Sequence, residues 1–335
     1  MQNMFKNILL VISSVLIITV IVEVVLRLYA PIYHAGYIGV YQYDAELGSV
    51  LKPGIHKFNT TDYQQEVRTN KLDTVNFQDS FKNYKKLIFT LGDSYTQGTG
   101  LPSDASYPAQ LDLILNLKNG IYRKDYGVVN LGLAAFGTDQ EILTLLRYKD
   151  RIGVPDVILY MGCSNDYLDD LKFEQGYKHR NFVDGSPVWG IFVKPLQWFR
   201  NDFEIGKRIF FFVDKIRVKN ILHRDRDVKD SGHKVSVAEL QADKLEKLLS
   251  YSRKFGSRLI VSWANGPSYD GSYEFLKNWA GKRDVLFADW YPEVASVRQA
   301  IPALPLQNSH SGGHYRTWVN QVMARTFAGL IFRLQ

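Results

Sequence analysis

The sequence is poor in cysteine, and its charges are not gathered into a block. Its 335 residues include one cysteine, Cys163, so no disulfide forms within the chain and the redox compartment is left open. The net charge of +7 is spread out and no nucleic-acid-binding motif accompanies it, so we expect an anionic surface or substrate and no nucleic acid partner. No histidine pair has metal-ligand spacing with cysteine or carboxylates, so we expect no metal and no cofactor.

Long apolar runs are also scarce. Only one, Ile8 to Tyr29, reaches the roughly 20 residues that a helix needs to cross a bilayer. A cleavable signal peptide has a shorter apolar region followed by small residues, whereas this run ends in Leu26-Arg27-Leu28-Tyr29. The sequence therefore predicts an uncleaved membrane anchor rather than a signal peptide.

Two charged residues, Glu23 and Arg27, interrupt the end of the apolar run. They are four residues apart and can pair on one helical face near the membrane interface, which lowers their cost there. A polar spot that binds a partner inside the membrane is the alternative. Lys6 and Arg27 flank opposite ends, so the orientation is weakly specified. We expect a single-pass protein of the cytoplasmic membrane with the bulk of the chain outside the cytoplasm.

Strand patterns alternate with amphipathic helix patterns along most of the remaining chain. Ser106 and Pro108 open a helix that stops at Gly120, and Thr138 and Glu141 have capping-box spacing. Ser236 and Glu239 cap another helix that stops at Gly256, and a last helix begins near Arg316. This alternation predicts an α/β fold, a doubly wound parallel five-stranded sheet of flavodoxin-like type with helices on both faces. The predicted strands are Leu87 to Leu91, Gly127 to Asn130, Asp156 to Met161, Arg258 to Trp263 and Val285 to Ala288.

The pattern divides the chain into three regions. Residues 1–30 form the anchor, residues 31–85 form a membrane-proximal lead-in with one short strand at Gln64 to Val67, and residues 86–335 form the main domain. The alternation fails in an insert at about 167–235 that is rich in aromatic and basic residues, and such a segment often covers or shapes a site. Within it, Phe203 to Leu222 fits a basic amphipathic helix that packs on the domain or touches lipid headgroups.

Polar residues follow three of the predicted strands. Gly92-Asp93-Ser94 ends the first, the loop from Gly132 to Thr138 follows the second, and Asn165 follows the third. The carboxyl ends of parallel strands share the sheet edge at which open α/β sheets bind ligands. A serine there can act as a nucleophile if a histidine takes its proton and N–H groups stabilise the oxyanion. The alternative is that Gly-Asp-Ser is only a turn, since all three residues are common in turns.

In these blocks and their order the chain resembles the SGNH (GDSL-like) hydrolase superfamily. Gly92-Asp93-Ser94 is similar to its first block, Asn130-Leu131-Gly132 with Phe136-Gly137-Thr138 to its second, and Gly162-Cys163-Ser164-Asn165-Asp166 to its third. The resemblance covers about residues 86–166 and 258–330. It implies that Ser94 is the nucleophile, with Asp93 a further candidate site residue. It also implies an oxyanion hole made of the Ser94 N–H, the N–H near Ala135 and the Asn165 side chain.

The second block departs from the pattern of the family, because Ala135 stands where glycine is usual. The donor expected there is a backbone N–H, so alanine can serve if its φ and ψ allow it. Gly132 is the alternative donor position.

The last block departs further. The family has an acid three residues before its catalytic histidine, whereas Ser311 precedes His314 and Gln307 precedes His310 at that distance. Asp289, after the fifth strand, is a candidate replacement. Without an acid a Ser–His dyad remains workable, because the acid mainly fixes the tautomer and stabilises the imidazolium.

The spacing between each histidine and the last predicted helix indicates which of the two is the catalytic base. In the family a small residue lies ten positions beyond the catalytic histidine; here Ala324 lies at that distance from His314, and Asn320 from His310. Gly312 and Gly313 also allow the loop before His314 to approach the serine. We therefore expect His314 to be the base, with His310 as the alternative.

The resemblance implies an esterase or O-acetyltransferase that works through an acyl-enzyme on Ser94. Together with the anchor and the aromatic insert, it suggests an acetylated envelope polysaccharide or glycolipid as substrate, and envelope polysaccharide-modification proteins as partners. Two alternatives remain open. One is a lipid-directed esterase, with the insert against the bilayer. The other is a catalytically dead binding subunit of a polysaccharide-modification complex, which the missing acid motivates.

Overall fold

The computed structural model describes residues 2–30, 41–59, 64–174, 236–267, 270–308 and 313–334, together with residues 195–196, 198–199, 202–209 and 212 of the insert. The chain divides into two compact units. One comprises Met1–Ile38 and Gly185–His233, and the other Gly39–Asp184 and Lys234–Gln335.

The first unit contains helix α1 (Gln2–Tyr29) and the described residues between 195 and 212 of the insert, all of which are helical except residue 203. The stretch Met4–Tyr29 contains an 18-residue window with a mean hydropathy of 3.0 and is long and apolar enough to cross a membrane. Of the helix predicted from Phe203 to Leu222, the part beyond residue 212 lies outside the described residues.

The second unit is built on a five-stranded parallel sheet, which confirms the predicted fold class. Its strands are β5 (Lys86–Gly92), β8 (Tyr126–Asn130), β9 (Val157–Gly162), β10 (Arg258–Trp263) and β11 (Leu286–Phe287). The order across the sheet is β8-β5-β9-β10-β11, so the second strand in sequence lies outside the first. This is the 2-1-3-4-5 order of flavodoxin-like sheets, whose ligand crevice opens between the first and third strands.

Alternate side chains of the strands pack against helices on opposite faces of the sheet. On β5, Ile88 belongs to one buried cluster and Phe89 to the other, and both are fully buried. The first face is covered by α3 (Tyr107–Asn116), α9 (Tyr291–Ala300) and α10 (Thr317–Arg333). The second is covered by α4 (Thr138–Ile152), α7 (Ala242–Phe255) and α8 (Ser272–Gly281). Each fully buried apolar side chain contributes roughly 1.5–3 kcal/mol.

The lead-in is more regular than the sequence predicts, because it forms two antiparallel hairpins. The first pairs β1 (Tyr41–Asp44) with β2 (Gly48–Leu51), and the second pairs β3 (Gly54–Asn59) with β4 (Gln64–Thr69). Arg147 of α4 fastens the first hairpin by donating to both carboxylate oxygens of Asp44 at 2.8 Å.

Three element boundaries differ from the predictions. Helix α3 ends at Asn116 rather than at Gly120, because β6 (Leu117–Lys118) turns back onto β7 (Ile121–Tyr122). The Asn-Gly pair at 119–120 supplies the two positive φ angles of that turn. The helix predicted after Ser236 is interrupted at Gln241, which separates α6 (Val237–Leu240) from α7. Helix α4 is capped at Gly137 with Gln140, one residue before the predicted box.

Helix α3 carries a buried acid, Asp112, next to the β6–β7 hairpin. Tyr122 donates to Asp112 Oδ2 at 2.7 Å, and Asn116 Nδ2 donates to the other oxygen at 3.1 Å. Burial raises the pKa of Asp112 to about 6, and these hydrogen bonds only partly offset the effect.

Candidate active site

The serine turn projects from the carboxyl end of β5, beside the crevice between β5 and β9. Asp93 caps the short helix α2 (Ser94–Gln97), with its Oδ1 accepting the Tyr95 N–H at 2.9 Å. Gly92 has a φ of +151°, and a Cβ added there would lie 2.1 Å from Thr96 Oγ1. Only glycine therefore lets α2 fold back this closely and present the Ser94 side chain at the sheet edge.

The structure brings His314 to Ser94. His314 Nε2 lies 2.7 Å from Ser94 Oγ, within hydrogen-bond reach, although the two residues are 220 positions apart. The His314 carbonyl accepts the Asn308 N–H at 3.0 Å. The Tyr95 ring packs on the imidazole with ring centroids 5.0 Å apart. Backbone pairing and an aromatic neighbour therefore position the imidazole beside the hydroxyl.

Of the other two candidates for this part of the site, Asp289 has other partners and His310 cannot be compared. Asp289 Oδ1 accepts the Tyr273 hydroxyl proton and Asp289 Oδ2 lies 3.1 Å from Lys277 Nζ, so both of its oxygens have partners away from the imidazole. His310 lies outside the described residues, as does Ser311.

The loop after β8 distinguishes between the two candidate backbone donors. The Gly132 N–H donates to Asn130 Oδ1 at 3.0 Å and is therefore already used. A Cβ on Gly132 would lie 2.4 Å from the Gln97 nitrogen, so this glycine serves the close approach of the loop to α2. Ala135 is exposed and has a φ of +65°, in the left-handed region that favours glycine. The N–H groups of Ser94 and Ala135 donate to no acceptor among the described residues.

Both polar atoms of the Asn165 carboxamide form hydrogen bonds. Its Nδ2 donates to Asp169 Oδ2 at 2.6 Å, and its Oδ1 accepts from the Cys163 thiol at 2.8 Å. The Asn165 side chain also interacts with the Asp93 carboxyl. The amide N–H that Asp169 does not use is therefore the one that can reach the Asp93 carboxyl.

Asp169 is a residue of the site that the sequence reasoning missed. Its side chain is 4% exposed and lies 2.5 Å from Lys172 Nζ, so a buried ion pair stands behind the Asn165 amide. Asp169 and Asn165 are four residues apart at the start of α5 (Asp166–Glu174). The spacing Asn-x-x-x-Asp at a helix start was the available signal, since side chains four apart share a helical face.

Carboxyl groups form a buried layer around the serine turn. Burial raises the pKa of Asp93, and it raises the pKa values of Glu141 and Asp166 well above their usual range, with repulsion between the acids adding to the shift of Glu141. Neither oxygen of Glu141 has a hydrogen-bond partner among the described residues. Burial therefore favours the neutral form of each of these acids, and a neutral acid repels a nearby oxyanion less than a carboxylate does.

Cys163 lies in the same layer, and with Asp93 and Asp166 it forms a group whose potential metal-ligand atoms lie within 4.8 Å of one another. Burial raises the pKa of the thiol, so it stays protonated and donates to Asn165. Asp166 Oδ2 accepts the Cys163 N–H at 2.8 Å. These contacts account for part of the donor set without a metal, and the absence of a metal stays a prediction.

A cavity of about 150 Å³ opens beside the Ala135 loop. Its lining includes Ser49 of β2, Gln140 of α4, and Asp169 and Lys172 of α5. The lead-in, to which the sequence assigned no chemistry, therefore contributes a wall to the space next to the candidate oxyanion donors.

No family model matches the chain, and no curated protein does. Solved structures that are similar to it include the following three. A lipolytic protein of the G-D-S-L family from Veillonella parvula is 13% identical, with 74% of this chain and 98% of that chain covered and a TM-score of 0.43. TesA is 11% identical, with coverages of 75% and 100% and a TM-score of 0.44. An acetyl xylan esterase is 11% identical, with coverages of 73% and 99% and a TM-score of 0.42. At this level of similarity the function must be argued from the residues of this chain.

Proposed function

We propose that this protein is a serine-dependent acyl-ester hydrolase of the SGNH type, anchored in a membrane by α1. The observation that carries the proposal is the 2.7 Å distance between Ser94 Oγ and His314 Nε2 at the crevice of a flavodoxin-like sheet. Nucleophile and base within hydrogen-bond reach are the signature of an activated serine. The arrangement agrees with the roles that the sequence resemblance implies for both residues.

In the proposed reaction Ser94 Oγ attacks the carbonyl carbon of an ester, and His314 Nε2 takes the hydroxyl proton. The negative charge on the carbonyl oxygen is stabilised by the N–H groups of Ser94 and Ala135 and by the Asn165 amide. As the intermediate collapses, the imidazolium returns the proton to the leaving alcohol and an acyl-enzyme remains. Water or an acceptor hydroxyl then attacks the acyl-enzyme, gives its proton to His314 and releases Ser94.

We propose further that the acyl group is acetyl and that its carrier is an envelope carbohydrate. The cavity beside Ala135, at about 150 Å³, has room for a small group next to one of the candidate oxyanion donors. Polar and charged side chains border it, which favours a hydroxyl-rich substrate. Transfer to a sugar hydroxyl and hydrolysis share every step up to the acyl-enzyme, so O-acetyltransfer is the finer form of the same proposal.

Two other functions give different outcomes in the same assays. Exposed apolar side chains in the insert, such as Trp198 and Phe212, favour a lipid-directed esterase. A catalytically dead binding subunit needs a serine without a base in reach, and the Ser94–His314 distance speaks against it.

The test is burst and steady-state kinetics of the full-length protein in detergent with p-nitrophenyl acetate. We expect Ser94→Ala and His314→Ala to lose turnover and Ser94 to be acetylated in the parent protein. His310→Ala is the matched control and should retain activity. A folded parent protein that neither turns over nor forms an acyl-enzyme would exclude the enzyme and leave the binding subunit.

The preferred length of the acyl chain and the acceptor of the acyl group are tested on the active protein. Loss of rate from acetyl to decanoyl esters supports the carbohydrate esterase, whereas a rise supports the lipid-directed one. An acetylated oligosaccharide product formed from p-nitrophenyl acetate and a free oligosaccharide would establish transfer. Release of acetate without an acetylated oligosaccharide would show that the protein hydrolyses the ester and does not transfer the acetyl group.

A further inference from the structure

The acidic residue in the apolar helix has a partner far away in the sequence. Glu23 is 8% exposed, and its Oε1 and Oε2 accept the backbone N–H groups of Glu204 and Ile205 at 2.9 and 3.1 Å. Arg27 donates to Glu23 Oε1 at 2.7 Å. The sequence explained Glu23 and Arg27 as an ion pair at i,i+4 spacing. In the structure the Glu23 carboxylate also accepts hydrogen bonds from backbone N–H groups of the insert.

Further contacts join the same two segments. Arg27 also donates to the Asp202 carbonyl and stacks over the Phe203 ring at 5.9 Å, and Arg208 donates to the Ala30 carbonyl. Lys207 and Arg208 are held in turn by the buried carboxylate of Glu204, at 2.7 and 2.8 Å. Residues 202–208 are thus bound to the last two turns of α1 by the buried carboxylate of Glu23 and by the half-exposed guanidinium of Arg27.

The residues next to this contact are apolar and exposed. The side chains of Leu196, Trp198, Ile209 and Phe212 are 43%, 59%, 49% and 63% exposed. All four lie within ten positions of the residues that Glu23 binds. The contact thus brings them to the end of a helix whose own apolar side chains are exposed along its length.

We propose that Glu23 and Arg27 hold residues 202–208 at the membrane boundary, so that Leu196, Trp198, Ile209 and Phe212 lie in the headgroup layer of the bilayer. This inference rests on the proposal that α1 crosses the membrane. The occupant of the apolar surface is the bilayer interface, because the surface continues from the helix that would enter that bilayer. Helix α1 then serves as a docking partner of the insert in the mature protein, a role that a removed leader could not have.

The test uses the full-length protein in vesicles of phosphatidylcholine and phosphatidylglycerol. Phe212→Cys is labelled with a polarity-sensitive fluorophore, and Lys71→Cys, whose side chain is 83% exposed in the other unit, is the control position. The unchanged protein is the labelling blank, since Cys163 is buried. We expect a blue-shifted emission at position 212 and roughly twofold stronger quenching by lipids spin-labelled near the headgroup than at position 71, as for side chains ~5–10 Å into the interface.

The same labels are then followed in Glu23→Ala and Glu23→Gln. We expect Glu23→Ala to lose the quenching at position 212, and Glu23→Gln, which keeps one acceptor oxygen, to retain part of it. Extraction with alkaline carbonate, followed in parallel, tests the anchor itself. If the protein stays in the membrane but the label at position 212 is not quenched, the inference is wrong and the proposal of a membrane anchor still stands. A protein released by carbonate overturns the anchor.

Two further outcomes also overturn the inference. Quenching that is unchanged in Glu23→Ala would show that the Glu23 contact does not place the surface. Self-quenching between labels at position 212, without quenching by the lipids, would show that a second copy of the chain covers the surface instead. Neither outcome affects the kinetics that test Ser94 and His314.

Discussion

Replacing Ala135 by glycine tests the conformation of the candidate oxyanion loop directly. The φ of Ala135 is +65°, and a non-glycine residue in the left-handed region costs roughly 1–2 kcal/mol. Glycine loses roughly 0.5–1 kcal/mol more conformational entropy than alanine on folding. The difference predicts that Ala135→Gly stabilises the protein by about 0.5–1 kcal/mol.

The neighbouring alanine is the matched control. Ala134 is not among the residues with positive φ, and its N–H donates to Gln97 Oε1 at 2.7 Å. Ala134→Gly gains no relief of strain and costs only the glycine entropy, so it should destabilise by about 0.5–1 kcal/mol. Two adjacent substitutions of the same kind are thus expected to have opposite signs.

The assay is thermal unfolding of the full-length protein in detergent, followed by near-ultraviolet circular dichroism. In a domain of this size the midpoint should rise by about 2 °C in Ala135→Gly and fall by about 2 °C in Ala134→Gly. Esterase activity should persist in Ala135→Gly, because the backbone N–H remains. A midpoint that falls equally in both variants would refute the left-handed conformation of Ala135.

Other substitutions address the pH dependence, the amide and the loop contact. Since burial raises the pKa of Asp112 to about 6, the folded state binds its proton more tightly than the unfolded state, and stability is lost as pH rises from about 4 to about 6. Between pH 4 and pH 7 the free energy of unfolding, measured by denaturant titration, should fall by up to about 3 kcal/mol less in Asp112→Asn than in the unchanged protein. An identical fall in both proteins would contradict this prediction. Asp169→Asn should lower kcat about tenfold with little change in KM, because the Asn165 amide loses its charged anchor, whereas Lys172→Met should have a smaller effect; an unchanged kcat would remove Asp169 from the site. Gly132→Ala should destabilise by about 3 kcal/mol in the same thermal assay, because its Cβ meets backbone atoms of α2, and wild-type stability would contradict that packing.

Local sequence patterns were sufficient for most of the sheet. Strand runs such as Asp156 to Met161 alternate with helical periods, and that alternation leaves a covered parallel sheet as the consistent arrangement. The pattern predicted the elements and the class of fold, because the 2.0 and 3.6 residue periods are properties of short segments. One local signal was missed: Asn119-Gly120 marks the hairpin that ends α3.

The choice between donors depended on tertiary contacts. From the sequence both Gly132 and Ala135 remained open, and glycine is the residue usual in the resembled family. The structure shows the Gly132 N–H already bound to Asn130 and Ala135 in the conformation that normally calls for glycine. Sequence periodicity could predict neither observation, because each depends on how the loop packs against α2.

The sequence by itself determined the five strands of the parallel sheet, several of the helices that cover it and the residue types at the strand ends. Only the tertiary structure decided which of those residues meet: Ser94 with His314 across 220 positions, Asn165 with Asp169, and Glu23 with Glu204 across 181 positions. Asp289 was a reasonable candidate from its place after a strand, yet its partners are Tyr273 and Lys277. The physical reason is that periodicity reports which side of an element is buried. Contacts between elements depend on loop paths and packing, which no local pattern encodes.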